Sequence, residues 1–318
     1  MASKILCITG PTAAGKSKLA MRLCRIKKQN KFQIISMDSA QIYKGVDISS
    51  AKPSKKDLLD VPHHLIDICD PTETYSAAKF LKDTKKLIKE VTDNGGTPLI
   101  VGGTMMYLQR LIHGIARVPE IPVNEKVLVE NEGKRIGWGR MYEKLIKIDP
   151  DAAQRINKND SQRIVRQLSV WHSTGKTLSY WQKLPNYEGL NNKLRIIALV
   201  PDSKQELKAN INTRLNSMIN GGMLEEVIKL RNEAGLTQTN PCGRLVGIRQ
   251  AIDYIEGRIT FHQFVTQAEF ATRRLAKHQL TWLSKLENLT IIKAFTKPLS
   301  QLISIWDSDP NFDLTTPK

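Results

Sequence analysis

The chain has 318 residues, of which 41% are hydrophobic and 25% are charged, a composition typical of a globular protein rather than of a disordered chain. Its 48 Lys and Arg residues outnumber 31 Asp and Glu residues, and the net charge of +17 favours a polyanionic partner such as nucleic acid. No apolar run reaches the roughly 18 residues of a membrane span, and the first residues lack the pattern of a signal peptide. We therefore expect a cytoplasmic protein with no membrane partner.

A phosphate loop is predicted near the start of the chain, in the stretch ILCITGPTAAGKSKLA. Residues 5–8 predict a strand, residues 18–25 predict a helix, and the segment between them fits G-x-x-x-x-G-K-S/T. Backbone N–H groups in such a loop point at phosphate oxygens, and the helix adds the positive end of its dipole. The loop consists of Gly10, Pro11, Thr12, Ala13, Ala14, Gly15, Lys16 and Ser17. We expect Lys16 to pair with the outer phosphate and Ser17 to bind Mg²⁺, but the motif fits ATP and other diphosphates equally.

Short apolar runs alternate with helical segments in the first part of the chain. After the first strand, the runs at residues 32–36, 64–68 and 98–103 are predicted strands. This alternation is typical of a parallel sheet with crossover helices, and apolar runs without a polar face fit strands that are buried on both sides. The predicted fold class is therefore α/β, with a phosphate-loop core whose parallel sheet is flanked by helices.

The pattern changes from about Val118, where helical stretches are broken by Gly and Asn. Residues 194–201 then predict another strand, and residues 205–219 and 268–283 predict helices. We predict a catalytic core formed by residues 1–119 and 191–318, with a helical insertion domain at residues 120–190.

Two polar residues follow predicted strands, where open α/β sheets bind their ligands. Asp38 follows the second strand, and its carboxylate could accept a proton, hold Mg²⁺ or, with Ser39, cap a helix. Thr104 follows Gly102 and Gly103, which permit close approach of the backbone, and it offers a hydroxyl to a ligand or to a helix. Both residues are therefore candidates for contact with a ligand.

Several motifs, in one order, make the chain resemble the bacterial tRNA dimethylallyltransferases. They are GPTAAGKS, DSAQIYKGVDISSAKP, PHHLIDICDP with YSAAKF, VGGTMMYLQRLIHG, NDSQRIVRQLSV, NGGMLEEV, RLVGIRQAIDYIEG and ATRRLAKHQLTWL, and they span about residues 5–285. The resemblance implies that N6 of adenine 37, beside the tRNA anticodon, attacks C1 of dimethylallyl diphosphate and expels pyrophosphate. It also implies that the phosphate loop holds this diphosphate with Mg²⁺, and that no ATP is consumed.

The resemblance further implies roles for single residues. Asp38 matches the base that deprotonates N6, Thr104 matches its neighbour at the reaction centre, and Arg214 matches an arginine that faces the diphosphate. The residues that it implies for binding the anticodon stem-loop are Asp38, Ser39, Ala40, Gln41, Thr104, Lys126, Gln162, Arg163, Ile164, Val165, Arg166, Arg244, Leu245, Val246, Gly247, Ile248 and Arg249. Ile248 stands where an aromatic residue is frequent, and Lys126 matches a tRNA-contacting arginine only in approximate position. We expect tRNA to lie between the core and the insertion of a monomer.

Three other functions fit parts of the sequence. A small-molecule phosphotransferase would share the phosphate loop but would not need the helical insertion or the ATRRLAKHQLTWL segment. A non-catalytic RNA-binding protein would not need an intact Lys16, Ser17, Asp38 and Thr104. A prenyltransferase that acts on free AMP would not need the tRNA-type stretches.

Overall fold

The computed structural model describes residues 5–184 and 187–308. The chain divides into two compact units, which we call the core unit, Met1–Ile112 with Leu190–Lys318, and the insertion unit, His113–Gly189. The core unit is therefore discontinuous in sequence, whereas the insertion unit is one continuous segment.

The core unit is built on a parallel sheet of six strands in the order β3-β2-β4-β1-β5-β6. The strands are β1 (Ile5–Thr9), β2 (Phe32–Ser36), β3 (His63–His64), β4 (Thr97–Gly102), β5 (Leu194–Val200) and β6 (Leu289–Lys293). The central strand β1 pairs with β4 on one side and β5 on the other, and its apolar residues are buried because helices cover the sheet. The predicted α/β fold class with a parallel sheet is confirmed.

Of the first four helices, three connect consecutive strands from β1 to β4, and the fourth follows β4. They are α1 (Lys16–Ile26), α2 (Lys55–Asp60), α3 (Ala77–Asp93) and α4 (Met105–His113). Leu19 and Leu23 of α1 pack into the same apolar cluster as Leu6 and Leu99 of the sheet. This packing fixes the start of α1 at the end of β1, where the phosphate loop lies.

The insertion unit is helical. It contains α5 (Val123–Ile136), α6 (Trp138–Ile148), α7 (Pro150–Ala153), α8 (Ser161–Thr174) and α9 (Leu178–Lys183). Val129, Leu145, Ile164 and Leu168 form its apolar core. A Cβ atom at position 133 would lie 2.4 Å from the ring of Trp138, so only glycine lets α5 and α6 pack this closely.

Five more helices complete the core unit. They are α10 (Lys204–Asn220), α11 (Met223–Ala234), α12 (Ile248–Ile255), α13 (Phe261–Leu283) and α14 (Pro298–Ser308). The predicted helix at residues 268–283 begins earlier, at Phe261, because Thr260 and Gln263 form a capping box. Among the residues that the structure describes, no helix is both long and apolar enough to cross a membrane.

Two predictions about the sheet differ from the structure. The predicted strand at residues 64–68 is wrong beyond its first residue, since β3 contains only His63 and His64. Leu65 (φ 61°) and Asp67 (φ 56°) adopt left-handed backbone conformations, which turn the chain away from β2. The sixth strand, β6, lies outside the predicted strands, because a segment as short as Leu289–Lys293 has a weak period and can be read equally as part of a helix.

Candidate active site

A cavity of about 350 Å³ lies in the core unit, beside the carboxyl ends of β1, β2 and β4. This is the position where parallel α/β sheets bind ligands, because loops from neighbouring strands converge there. Most of the sequence-predicted site residues of the core unit line it: Thr12, Ala13, Lys16, Ser17, Asp38, Ser39, Ala40, Gln41, Thr104, Arg214, Leu245, Val246 and Gly247. The fold therefore brings together side chains as far apart in sequence as Thr12 and Val246.

The phosphate loop is shaped by its two glycines. A Cβ atom at Gly10 would lie 2.6 Å from the backbone oxygen of Leu199, and Gly15 has a φ of 87°, so both positions require glycine. No described side chain caps α1 at Gly15, which leaves the N–H groups at the start of the helix for an anion. Lys16 Nζ donates to the Pro11 carbonyl at 2.7 Å, so its ammonium lies across the loop.

The loop is also held from outside by a residue that the sequence did not single out. The backbone N–H of Thr12 donates to Gln279 Oε1 at 2.8 Å, and Gln279 Nε2 donates to the Gly103 carbonyl at 2.8 Å. Gln279 belongs to α13 and is 8% exposed. Gln279 belongs to the family motif ATRRLAKHQLTWL, but no spacing rule connects a glutamine in this motif with a loop 267 residues earlier.

The loops after β2 and β4 meet directly. The N–H of Met37 donates to the Val101 carbonyl at 2.8 Å, and the N–H of Thr104 donates to the Met37 carbonyl at 3.2 Å. A Cβ atom at Gly102 would lie 2.0 Å from the same Met37 oxygen, so a larger residue would force the two loops apart. This close contact places Asp38 and Thr104 on adjacent backbone segments.

Asp38 and Thr104 are linked through the backbone between them. Asp38 Oδ1 accepts from the N–H of Ala40 at 2.8 Å, and Thr104 Oγ1 accepts from the N–H of Ser39 at 3.0 Å. Both side chains thus hold the same turn, in which the Asp38 carboxylate keeps a fixed place on the cavity wall.

The cavity carries two cations and one anion. Burial lowers the pKa of Lys16 to about 8, while the Asp38 carboxylate acts in the opposite direction. Burial also lowers the pKa of Arg214 below its ordinary range, again opposed by Asp38, and Arg214 Nη2 donates to the Ser50 carbonyl at 3.4 Å. An anionic ligand such as a diphosphate would relieve this excess of positive charge.

One wall of the cavity comes from the segment at residues 47–52, which we call the serine loop. Ser49, Ser50 and Ala51 line the cavity. The Lys52 side chain, which is 4% exposed, donates to Asp47 and Asp67 at 2.6 Å and to the Tyr43 carbonyl at 3.0 Å. The bond to Asp67 ties the serine loop to residues 65–68, the segment that was predicted as a strand but lies outside β3.

The protein alone offers few ligands for a metal ion. Across residues 5–184 and 187–308, no group of three or more His, Cys, Asp or Glu residues could hold one. Ser17 and Asp38 nevertheless present oxygen atoms to one cavity. Mg²⁺ prefers oxygen ligands and is commonly bound by one or two protein groups together with substrate phosphates and water, so this donor set fits Mg²⁺ bound with a diphosphate.

The predicted tRNA-binding stretches outside the cavity are partly exposed. Gln162, Arg163, Arg166 and Lys126 are exposed in the insertion unit, and Val165 is half-buried there; Arg244 and Arg249 are exposed in the core unit. The prediction needs a correction at two positions: Ile164 and Ile248 are 0% and 1% exposed. Their side chains pack inside their own units and are closed to RNA, so contacts from these stretches would come from their polar neighbours.

Comparison with known proteins gives consistent matches over most of the chain. The model of a family described as IPP transferase matches residues 41–286. A protein of Polynucleobacter asymbioticus named tRNA dimethylallyltransferase is similar to this chain, with 41% identity over 88% of this chain and 86% of its own length. The crystal structure of the full-length tRNA isopentenylpyrophosphate transferase of Bacillus halodurans is similar with 31% identity, a TM-score of 0.67 and 95% coverage of each chain. A eukaryotic dimethylallyltransferase described as acting on tRNA shares the fold, with a TM-score of 0.81 at 22% identity over 97% of this chain and 79% of that chain.

Proposed function

The chain belongs to the IPP transferase family, and we propose that it transfers the dimethylallyl group of dimethylallyl diphosphate to N6 of adenine 37 of tRNA, releasing pyrophosphate. The observation that supports this reaction best is the cavity itself, in which the phosphate loop and a carboxylate face each other. The positively charged end of the cavity can stabilise the leaving pyrophosphate, and the carboxylate can accept the proton that the nucleophile loses.

The diphosphate would bind at the start of α1. There the backbone N–H groups and the helix dipole attract the phosphate oxygens, and Lys16 and Arg214 add two charged donors. These groups would stabilise pyrophosphate more strongly as its negative charge increases, which accelerates departure of the leaving group.

Magnesium is the cofactor that we propose, with Ser17 as its protein ligand and the diphosphate oxygens as the others. When bound, Mg²⁺ would neutralise charge that develops on the leaving pyrophosphate. Ser17 follows Lys16 in α1, so the hydroxyl and the ammonium approach the diphosphate from neighbouring positions.

The transfer exchanges one carbon–oxygen bond for one carbon–nitrogen bond. The lone pair of adenine N6 attacks C1 of the dimethylallyl group, and the C1–O bond breaks with its electron pair on pyrophosphate. The N6 proton passes to the Asp38 carboxylate, whose turn is fixed by Ala40 and Thr104. Thr104 would in this way keep the base in place beside the reacting nitrogen.

The adenine must unstack from its neighbouring bases to enter this cavity, and this unstacking costs a few kcal/mol. Gln41 and residues 245–247 line the cavity where the nucleotide would enter, and we propose that they contact it. The net charge of +17 and the exposed Arg244 and Arg166 would attract the phosphates of the anticodon stem-loop. We also propose that the active protein is a monomer.

The proposal is tested by incubating the protein with dimethylallyl diphosphate, Mg²⁺ and an unmodified tRNA transcript, followed by mass spectrometry of the nucleosides. We expect a mass gain on adenine 37 and none on a transcript with guanine at that position. Parallel reactions with AMP as the acceptor, and with ATP in place of dimethylallyl diphosphate, test the other two enzymatic functions. Transfer to AMP in preference to tRNA, or ATP turnover without prenyl transfer, would refute the assignment.

A further inference from the structure

We propose that Glu226 is a positioning residue for the diphosphate end of the cavity, an inference that rests on the proposed transfer reaction. Glu226 lies in the first turn of α11, outside the cavity wall. Its carboxylate accepts three successive backbone N–H groups of the serine loop: Oε2 accepts from Asp47 at 2.8 Å and from Ile48 at 2.7 Å, and Oε1 accepts from Ser49 at 2.9 Å. Hydrogen bonds to an ionised carboxylate are among the strong ones, and three of them converge here.

The backbone that Glu226 holds continues directly into the cavity wall. The N–H of Ala51 donates to the Ile48 carbonyl at 2.9 Å, and Ala51 has a φ of 48°, so the serine loop closes as a tight turn just after the three held amides. Within this turn the Ser50 carbonyl accepts from Arg214. Glu226 therefore fixes the oxygen against which the guanidinium of Arg214 is oriented.

A second feature of the serine loop faces the ligand. Ser49 Oγ is buried, lines the cavity and has no hydrogen-bond partner among the described residues. A buried hydroxyl without a partner is costly unless a ligand supplies one. Because Glu226 binds the N–H of the same residue, it determines where this hydroxyl meets a phosphate oxygen.

Other bonds hold the serine loop together but do not replace Glu226. Lys52 fixes the far end of the loop through Asp47, Asp67 and the Tyr43 carbonyl. Without the Glu226 carboxylate, the three amides would lose their shared acceptor, and the turn could move away from Arg214. If Glu226 acts on catalysis through Arg214, replacing it should change the kinetics in a different way from replacing a residue that only supports folding.

The experiment compares Glu226→Gln and Glu226→Asp with Glu225→Gln, which removes the same charge from the neighbouring, exposed position of α11. Glutamine keeps the shape of the side chain but presents an NH₂ group to amides that need an acceptor. At saturating tRNA, we expect the KM for dimethylallyl diphosphate to rise about tenfold in Glu226→Gln, less in Glu226→Asp, and less than about twofold in Glu225→Gln. A purely structural role would instead lower the active fraction, and so kcat, at an unchanged KM.

Two further measurements make the test specific. In an Arg214→Gln background, Glu226→Gln should raise the same KM less than it does in the wild type, since the part of its effect that acts through Arg214 is already lost. Amide hydrogen exchange in the ligand-free protein should show lost protection at residues 47–49 in Glu226→Gln, a smaller loss in Glu226→Asp and none in Glu225→Gln. This last measurement does not depend on prenyl transfer, so an inactive wild-type protein would refute the proposed function and leave the positioning of the loop testable.

The proposal is overturned if folded Glu226→Gln keeps the wild-type KM, or if its effect and that of Arg214→Gln are additive. If Glu226→Gln fails to fold, Glu226→Asp carries the same comparison, and an unchanged KM in that variant, with unchanged exchange at residues 47–49, overturns the proposal.

Discussion

The side chain of Gln279 accepts a hydrogen bond from the backbone of Thr12 at 2.8 Å, which joins the longest helix of the chain to the phosphate loop. The same amide donates to Gly103 at the end of β4. One buried group therefore sets the distance between the part of the cavity that would hold phosphate and the part that would hold the reacting base.

Replacing Gln279 with leucine should weaken both substrate binding and folding. The change keeps the volume but leaves the Thr12 N–H and the Gly103 carbonyl without their partner, which costs about 1 to 3 kcal/mol in the free energy of unfolding. We also expect the KM for dimethylallyl diphosphate to rise, because the phosphate loop loses its anchor. Urea unfolding and steady-state kinetics measure the two effects. The matched control is Gln267→Leu at an exposed site of the same helix, and equal behaviour of the two variants would exclude the anchoring role.

Asp38→Asn should separate binding from chemistry. Asparagine retains an oxygen that can accept from Ala40, so the turn is kept, but it cannot take the N6 proton. We expect single-turnover transfer to slow by about 10² to 10⁴, the range typical of a lost general base, with tRNA binding nearly unchanged. A rate within a few-fold of the wild type would remove Asp38 from the mechanism.

The use of dimethylallyl diphosphate should depend on pH through Lys16. Since burial lowers the pKa of this ammonium to about 8, Lys16 is charged below that pH and becomes neutral above it. A neutral lysine cannot pair with the diphosphate, so kcat/KM should fall as the pH rises through about 8, because kcat/KM reports the ionisation of the free enzyme. Lys16→Arg stays charged over the whole range and should lose this decline. An identical decline in both proteins would assign the pH dependence to another group.

Removing a positive charge at Arg244 or Arg166 should weaken tRNA binding in a salt-dependent way. Each lost phosphate contact should reduce the slope of log K against log salt by about 0.7 to 0.9. Titrations of Arg244→Gln and Arg166→Gln at several salt concentrations test this, with Lys82→Gln on an exposed face of α3 as the control. The affinity for dimethylallyl diphosphate should barely change. Wild-type slopes in both arginine variants would place these side chains outside the RNA contact.

The parts of the fold that follow from local rules could be predicted from the sequence. β2 begins and ends at the predicted residues, Phe32 and Ser36, because a short apolar run between turn residues is typical of a buried strand. The phosphate loop was predicted because its function requires glycine at fixed positions. The strand predicted at residues 64–68 is wrong beyond His64, because the apolar pattern does not reveal the left-handed backbone at Leu65, a residue type that rarely adopts that conformation.

The supporting residues of the site could not be predicted in the same way. Glu226 and Gln279 act on backbone amides 177 and 267 residues earlier in the chain, and neither side chain belongs to a spacing pattern. Their contacts with these amides form only in the folded chain, so no local sequence pattern identifies the two residues. The roles of Asp38, Thr104 and Arg214 are implied by the family resemblance and not by a local pattern.

The position of β1 between β4 and β5 has a consequence for how the protein is made. As the chain leaves the ribosome, β1 emerges well before one of its two neighbours, β5, which begins only at Leu194, after the entire insertion unit. The insertion unit is continuous and can complete its own core while the sheet is still open on one side. The nascent core unit must therefore wait for β5 to close the sheet and for α13 to deliver Gln279. Catalytic competence is acquired only after α13 has been synthesised.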